Sequence, residues 1–463
     1  MRQGVIAAVS TPPGKGGVAI IRMSGTGVLE ITDKVFFPRS GRPLSSYEPR
    51  RQIYGYVKDG DDVIDDGLAT YFPKSSSYTG EETVEFSIHG GVMVTRRVLE
   101  LLFTNGAIPA EAGEFTRLAF INGRISLTEA EAIGDLLEAK SEEQLKLFSD
   151  SSRQRLRGKI EEIRASLTRL LGSVYARIDY PEEDLGELSD EEILNELTKI
   201  KESLSALIST YRTGRAIKEG ISVAIVGKPN AGKSTLYNLL VGEDAAIVTD
   251  IPGTTRDVLM REVPLGRVML RLYDTAGVRA SGVTDEVEKI GISRTLKELS
   301  RSELAITLFD MSRHLDSEDD EILAAIAERG GASIALLTKC DIAIDSESFD
   351  KIREKFDKVI EISSKNEPER AIKLISEAVE GLFTDEKINS STDAIVASAR
   401  QHSALVAAIS AVDSAITAYR LGIPADAASS DIELALARIG ELDGRAVSDE
   451  VVSDIFSRFC VGK

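Results

Sequence analysis

Cysteine is almost missing: Cys340 and Cys460 are the only two in 463 residues. With no CxxC pair and no histidine close to either in sequence, a disulfide framework and a zinc site are both excluded. Long hydrophobic runs are missing too. Nothing approaches the roughly 18 apolar residues of a membrane span. The short apolar start, residues 4–9, runs into Thr11-Pro12-Pro13-Gly14 instead of a cleavage site. A cytoplasmic protein with reduced thiols is expected. Positive charge is also short, with 56 Lys and Arg against 75 Asp and Glu and a net charge of −19. This excludes a chain that grips nucleic acid over its whole surface, because each phosphate contact needs a nearby cation. Any RNA contact must be local or shared.

What is present is ordinary globular composition, 42% hydrophobic and 28% charged, and length enough for two to four cores. Residues 1–120 mix β-rich runs (18–23, 84–88) with Gly/Pro turns, as in a small α/β domain. From Ser126 the turns thin out, and Leu156, Ile160, Ile163, Leu167, Leu170 and Val174 recur at steps of three or four, the signature of one helix face. A further helix is predicted over 190–212. The basic cluster at 153–164 is interleaved with Glu161 and Glu162 and is expected to be a solvated helix face; a second cluster lies at 212–218. At Ile221 the pattern becomes alternating strands (222–226, 268–273, 304–309, 332–337) and helices, a doubly wound sheet. Helical periodicity returns at Leu405, Ala408, Ile409, Val412 and Ile416 and again from Asp431. The expected architecture is α/β plus all-α: an N-terminal α/β domain (1–120), a helical domain in two parts (121–215 and 383–463), and an inserted Ras-like P-loop domain (216–382) with a mostly parallel sheet.

Gly227-Lys228-Pro229-Asn230-Ala231-Gly232-Lys233-Ser234 fits GxxxxGK[ST] between a strand and a helix. In that setting backbone N–H groups and a helix N-terminus close around phosphates, Lys233 reaches the β and γ phosphates, and the Ser234 hydroxyl takes a Mg2+ position. Asn230, Ala231, Gly232, Lys233, Ser234 and Thr235 are therefore candidate nucleotide contacts. Asp274-Thr275-Ala276-Gly277 follows a strand, where a carboxylate holds Mg2+ through water and a Gly N–H senses the γ phosphate. Thr338-Lys339-Cys340-Asp341 ends a later strand. Asp341 there accepts both the ring N–H and the exocyclic amine of guanine, a donor pair adenine lacks. The stem of Lys339 lies across the base, and Ser363-Ser364-Lys365 supplies a backbone edge. Thr255, in the loop Gly253-Thr254-Thr255-Arg256-Asp257, offers a second hydroxyl to Mg2+. The reading is a hydrolase for GTP.

This set resembles the translation-factor-like GTPases, and departs from them at Thr338, where Asn is usual; the departure is expected to loosen nucleotide affinity. Val278 stands where many GTPases carry a water-orienting Gln, and valine cannot hydrogen-bond water. The closer resemblance covers essentially the whole chain: it is similar to the tRNA modification GTPase MnmE (TrmE) family. The matching stretches are residues 11–17 leading into Ile20-Ile21-Arg22, Ser77-Tyr78-Thr79-Gly80-Glu81 leading to His89-Gly90-Gly91, the 245–257 loop, and the terminal Cys460-Val461-Gly462-Lys463.

The resemblance implies GTP hydrolysis coupled to addition of a carboxymethylaminomethyl or aminomethyl group at C5 of the wobble uridine of certain tRNAs, shared with an FAD-binding partner of the MnmG/GidA type in a heterotetramer. No dinucleotide fingerprint occurs here, which agrees with flavin on a separate chain. It implies K+ in place of an arginine finger, held at Asn230, Thr249, Ile251 and Thr254, with Asp250, Pro252 and Gly253 completing the loop over the nucleotide, and a G-domain dimer during the cycle. Glu288 matches the water-positioning glutamate, with a two-residue insertion around 280–283; Asn230, Lys233, Thr254 and Glu288 form the implied catalytic set. In the N-terminal domain, which dimerises in the family, Arg22, Glu85, Arg124 and Lys463 match the contacts of a tetrahydrofolate derivative in its 5-formyl or 5,10-methylene form; Arg124 stands where Lys is usual. By contrast, residues 14–17 precede a strand and read as a turn, and His89 as a hydrogen-bonded turn residue. Cys460 is either a pocket-lining thiol or a reactive one. Two rival readings stay open, a ribosome-assembly GTPase switch and a stand-alone folate-dependent transferase with a regulatory GTPase domain.

Overall fold

The computed structural model describes residues 4–179, 188–242, 260–273, 299–340, 346–363, 367–444 and 447–462. Contacts divide the chain into two units, Met1–Glu138 with Glu433–Lys463, and Ala139–Ile432.

The first unit is built on β1 (Val5–Val9), β2 (Val18–Ser24), α1 (Val28–Val35), β3 (Phe36–Pro38), β4 (Gln52–Asp59), β5 (Asp62–Phe72), β6 (Thr83–His89), α2 (Val92–Thr104) and β7 (Ala107–Pro109). Its sheet runs β3-β4-β5-β6-β2-β1-β7, antiparallel except for the β1–β7 pair. Period-two alternation explains the layering. On β4, Ile53 and Val57 are buried while Tyr54 points out. The buried side packs with α1 and α2 around Ile21, Met23, Val35, Phe86 and Leu102. Two short helices follow, α3 (Glu114–Ile121) and α4 (Leu127–Glu138).

The second unit opens with α5 (Glu142–Phe148), α6 (Asp150–Asp179), α7 (Asp190–Ser209) and α8 (Tyr211–Lys218). All six residues of the predicted α6 stripe are buried. The helix expected over 190–212 is instead two, parted at Thr210, whose hydroxyl donates to Leu207 O and accepts the Val396 N–H. A side chain tied to the irregular segment before α13 is a tertiary event that periodicity cannot register. The basic cluster on α6 is ion-paired (Lys159–Glu162, Arg164–Glu161), and Arg155 also holds the carbonyls of Ser390 and Asp393. It is part solvated face and part anchor.

Next come β8 (Ile221–Gly227), α9 (Lys233–Val241), β9 (Met260–Leu265), β10 (Val268–Tyr273), β11 (Leu304–Asp310), α10 (Ser317–Arg329), β12 (Ala332–Thr338), α11 (Ser346–Arg353), β13 (Lys358–Ile362) and α12 (Pro368–Phe383). The strand order β13-β12-β11-β8-β10-β9 is parallel except for β9. Its central strands β11 and β12 are buried on both faces, as parallel strands covered by helices must be. This is the doubly wound sheet expected from the alternation. Then α13 (Ala399–Arg420) packs on α7, with Leu405, Ala408, Val412 and Ile416 buried and Ile409 half-buried. The last helices are α14 (Ala425–Asp443) and α15 (Asp449–Ser457). Val452, Phe456 and Phe459 pack on Leu127 and Ala130 within the first unit. No helix of the described residues is long and apolar enough to cross a membrane.

Candidate functional site

The strand β8 delivers the chain to Gly227, and α9 begins at Lys233 with Gly232 as its N-cap. The residues between must reverse direction without covering the helix end, which demands left-handed backbone. Gly232 takes φ 104 and Asn230, a non-glycine, takes φ 62. Asn tolerates that conformation better than most residues. Ser234 and Thr235 lie exposed on the first turn of the helix, where free amides and the helix dipole favour an anion. Lys233 folds over the loop, its Nζ donating to Gly227 O at 2.6 Å and Lys228 O at 2.7 Å. Burial pushes its ammonium below the usual lysine range. A desolvated cation facing carbonyl dipoles gains most from a phosphate oxyanion in the same place.

The rest of the site leans on this loop. Thr338, at the end of β12, is buried, and its hydroxyl lies 3.1 Å from both Ala231 O and Phe309 O. It therefore ties the phosphate loop to the end of β11. The Met311 N–H donates to Thr338 O at 3.0 Å, a second tie between the ends of β11 and β12. Lys339 takes φ 60 and pairs with Asp310. Burial works to raise Asp310, but Lys339 and the N–H and hydroxyl of Ser312 outweigh it and hold the carboxyl below its usual range. Lys228 lies 2.6 Å from Asp316 and 2.8 Å from Glu318. Asp316 caps α10 and is lowered to about 2, first by Lys228 and also by the backbone N–H groups of Asp319 and Glu318.

Sequence reading missed Asp310, Asp316 and Glu318. Their partners lie 29 to 90 positions away by residue number, and the only local sign was a carboxylate ending a strand.

Lys233, Thr338 and Asn230 are thus brought together around one loop end, with Lys339 following Thr338. Ser363 follows β13. Thr249, Asp250, Ile251, Pro252, Gly253, Thr254, Thr255, Asp274, Thr275, Ala276, Gly277, Glu288, Asp341, Ser364, Lys365 and Lys463 lie outside the described residues.

In the first unit, Arg22 and Glu85 are register partners across β2 and β6, 2.8 Å apart. The Arg22 guanidinium also lies over the rings of Tyr78 (5.8 Å) and Phe115 (5.5 Å). Arg124 donates to Lys74 O, holding the 74–80 loop from its other end. On that loop the hydroxyls of Ser76 and Ser77 are buried and have no hydrogen-bond partner among the described residues. Cys460 is an exposed thiol whose carbonyl accepts the Gly113 N–H. Val461 bridges Ala112, and Gly462 O accepts the Ser10 hydroxyl at 2.8 Å. His89 donates its N–H to Asp65 and places Nδ1 2.8 Å from the same carboxylate, which raises its pKa.

The comparisons agree with one another. Residues 127–460 match the model described as the MnmE helical domain, and residues 5–124 the model described as the GTP-binding protein TrmE N-terminus. The tRNA modification GTPase MnmE of Finegoldia magna is 39% identical over 464 residues, covering 99% of both chains. The proteins of the same name from Thermotoga maritima and Clostridioides difficile are 38% and 35% identical, each again over 99% of both chains.

Proposed function

The chain belongs to the tRNA modification GTPase MnmE family, and from that premise we propose that it hydrolyses GTP in the service of tRNA modification. The observation that carries the GTPase reading is the Lys233 ammonium, held over left-handed Asn230 and Gly232 at the start of α9 and tied through Ala231 O to the base-side residue Thr338.

The finer reading follows the resemblance. Ser234 stands on the first turn of α9, so its hydroxyl suits Mg2+, with Thr255 as the second hydroxyl. Asn230 is exposed at the loop tip, and an amide oxygen there suits a weakly hydrated cation; K+ held by Asn230, Thr249, Ile251 and Thr254 supplies positive charge beside the phosphates. Glu288 orients the attacking water. For the folate derivative, Arg22, Glu85, Arg124 and Lys463 offer charges for a pterin edge and tail carboxylates. The buried, unpartnered hydroxyls of Ser76 and Ser77 fit a polar ligand beside the loop that Arg124 holds. The same reading assigns the one-carbon unit to the wobble uridine with an FAD-bearing partner, pairs two copies through residues 1–120, keeps 216–382 as the GTPase domain, and places the work in the cytoplasm.

The test is GTP turnover in KCl and in NaCl at equal ionic strength, with ATP as the competing substrate. K+ is expected to raise turnover at least about tenfold over Na+, a transition-state gain of about 1.4 kcal/mol, and ATP to be rejected. Equal rates in the two salts would remove the K+ assignment, and equal use of ATP would remove the guanine one.

A further inference from the structure

The distribution of unpaired charge singles out one face of the first unit. Residues 39–58 carry five cations, Arg39, Arg42, Arg50, Arg51 and Lys58, against the single carboxylate of Glu48, a net of +4 in a chain of net −19. No side-chain hydrogen bond or ion pair links Arg39, Arg50 or Arg51 to any described residue. The carboxylates on the neighbouring strand are engaged instead: Asp62 with Arg97 at 3.0 Å, Asp65 with His89 at 2.8 Å, Asp66 with the Tyr54 hydroxyl at 3.0 Å. These three arginines have no side-chain hydrogen bond or ion pair among the described residues, whereas these acids of β5 do.

Aromatic rings stand on the same strands. Tyr54 and Tyr56 point outward from β4, and Phe37, on the edge strand β3, is the register partner of Tyr56. Phe37 is 41% and Tyr54 40% exposed, too open for core residues. Lys58 lies over the Phe37 and Tyr56 rings at 5.5 and 5.8 Å, and Arg42 over Tyr47 at 5.0 Å. Arg39 N–H donates to Tyr54 O, so the arginine loop starts beside the rings. Cations tracking a backbone beside open π faces are what an unpaired RNA segment requires.

We propose that the outward face of β3 and β4, with the 39–51 loop, is where the RNA substrate lies, its phosphates on the free arginines and an unstacked base on the Phe37 and Tyr54 rings. This rests on the tRNA reading above and adds where the contact is made.

The experiment titrates the full-length protein into labelled unfractionated tRNA over about 50 to 200 mM salt. Replacing Arg39, Arg42 and Arg51 together by Ala is expected to weaken binding more than about tenfold and to lower the slope of log affinity against log salt by about 2 to 3. Tyr54→Leu is expected to cost roughly tenfold with the slope unchanged, because stacking releases no counterions. Both proteins should keep the wild-type melting profile and GTP turnover, and Lys159→Ala on α6 should bind as wild type.

Wild-type tRNA affinity in the triple variant would overturn this face while leaving the tRNA reading intact. Failure of the wild-type protein to bind tRNA would overturn both. Tighter wild-type binding to polyglutamate than to tRNA, unaffected by Tyr54→Leu, would assign the face to an acidic protein and overturn the RNA proposal.

Discussion

Two glycine-rich turns in this chain look alike on paper, Pro12-Pro13-Gly14-Lys15-Gly16-Gly17 and Gly227 to Ser234, yet they serve opposite purposes. In the first, the chain enters a strand. Gly16 N–H donates to Gly90 O at 3.0 Å, and a Cβ on Gly90 would meet Gly16 O at 2.6 Å. Here glycine lets two backbones touch. In the second, the chain enters a helix, and Gly232 at φ 104 leaves amides open at the helix end. There glycine keeps the space clear for something else. Composition does not separate the two turns. The element each one leads into does, because only a helix start presents aligned, unsatisfied N–H groups.

The sharpest way to break that contrast is to remove the cation from the second turn. Lys233→Ala is expected to lower kcat/KM for GTP by roughly a hundredfold or more, since about two charge-assisted contacts at about 1.5–3 kcal/mol each are lost. The melting profile should hardly move, because Nζ touches only two loop carbonyls. Lys15→Ala, in the look-alike turn, should leave turnover unchanged. Because Lys233 is depressed by burial, its free form loses its proton at a lower pH than an ordinary lysine, whereas a bound phosphate favours the charged form. Guanine nucleotide affinity should therefore fall as pH rises toward the ordinary lysine range, and this loss should be absent from Lys233→Ala.

The opposite pattern is expected for Gly90→Ala. A Cβ there must push apart two backbones, which costs about 1–3 kcal/mol. At roughly 2–4 °C per kcal/mol the first unit should melt several degrees lower, while GTP turnover at about 25 °C stays at wild type. A calorimetric scan paired with a turnover assay checks both halves. Loss of turnover without loss of stability would mean that the first turn is a phosphate cradle after all.

How far each turn was legible depends on how local its determinants are. The strand before Gly227, the helix after Gly232 and the apolar stripe of α6 are periodicities within short stretches of chain, and the fold places them as the sequence suggests. The break at Thr210 is different, since it depends on Val396, 186 positions away. So is Arg155, which looked like part of a solvated face and in fact holds two carbonyls of the 390–393 segment. Asp310 carries no motif; its meaning appears only when β11 and β12 lie side by side, Asp310 opposite Thr338, and bring it to Lys339. Side chains whose partners are chosen by strand order cannot be read before the order is known.

Thr338 tests the finest point of the comparison, because it shows how the second turn is braced. The first turn is held by backbone contact to Gly90, whereas the second is held across neighbouring strands by one hydroxyl lying between Ala231 O and Phe309 O. A hydroxyl has a single proton, so it serves both carbonyls only in part, whereas the Asn usual at this position has two amide protons. Thr338→Val keeps shape and burial but removes the donor. The expected loss is about 0.5–1.5 kcal/mol, seen as a roughly two- to tenfold rise in KM for GTP with kcat held. Thr338→Asn should bring KM to or below the wild-type value, provided both carbonyls are reached. If Thr338→Val and wild type share one KM, the brace does not set the loop, and the phosphate amides of the second turn are self-supporting like the contact between Gly16 and Gly90.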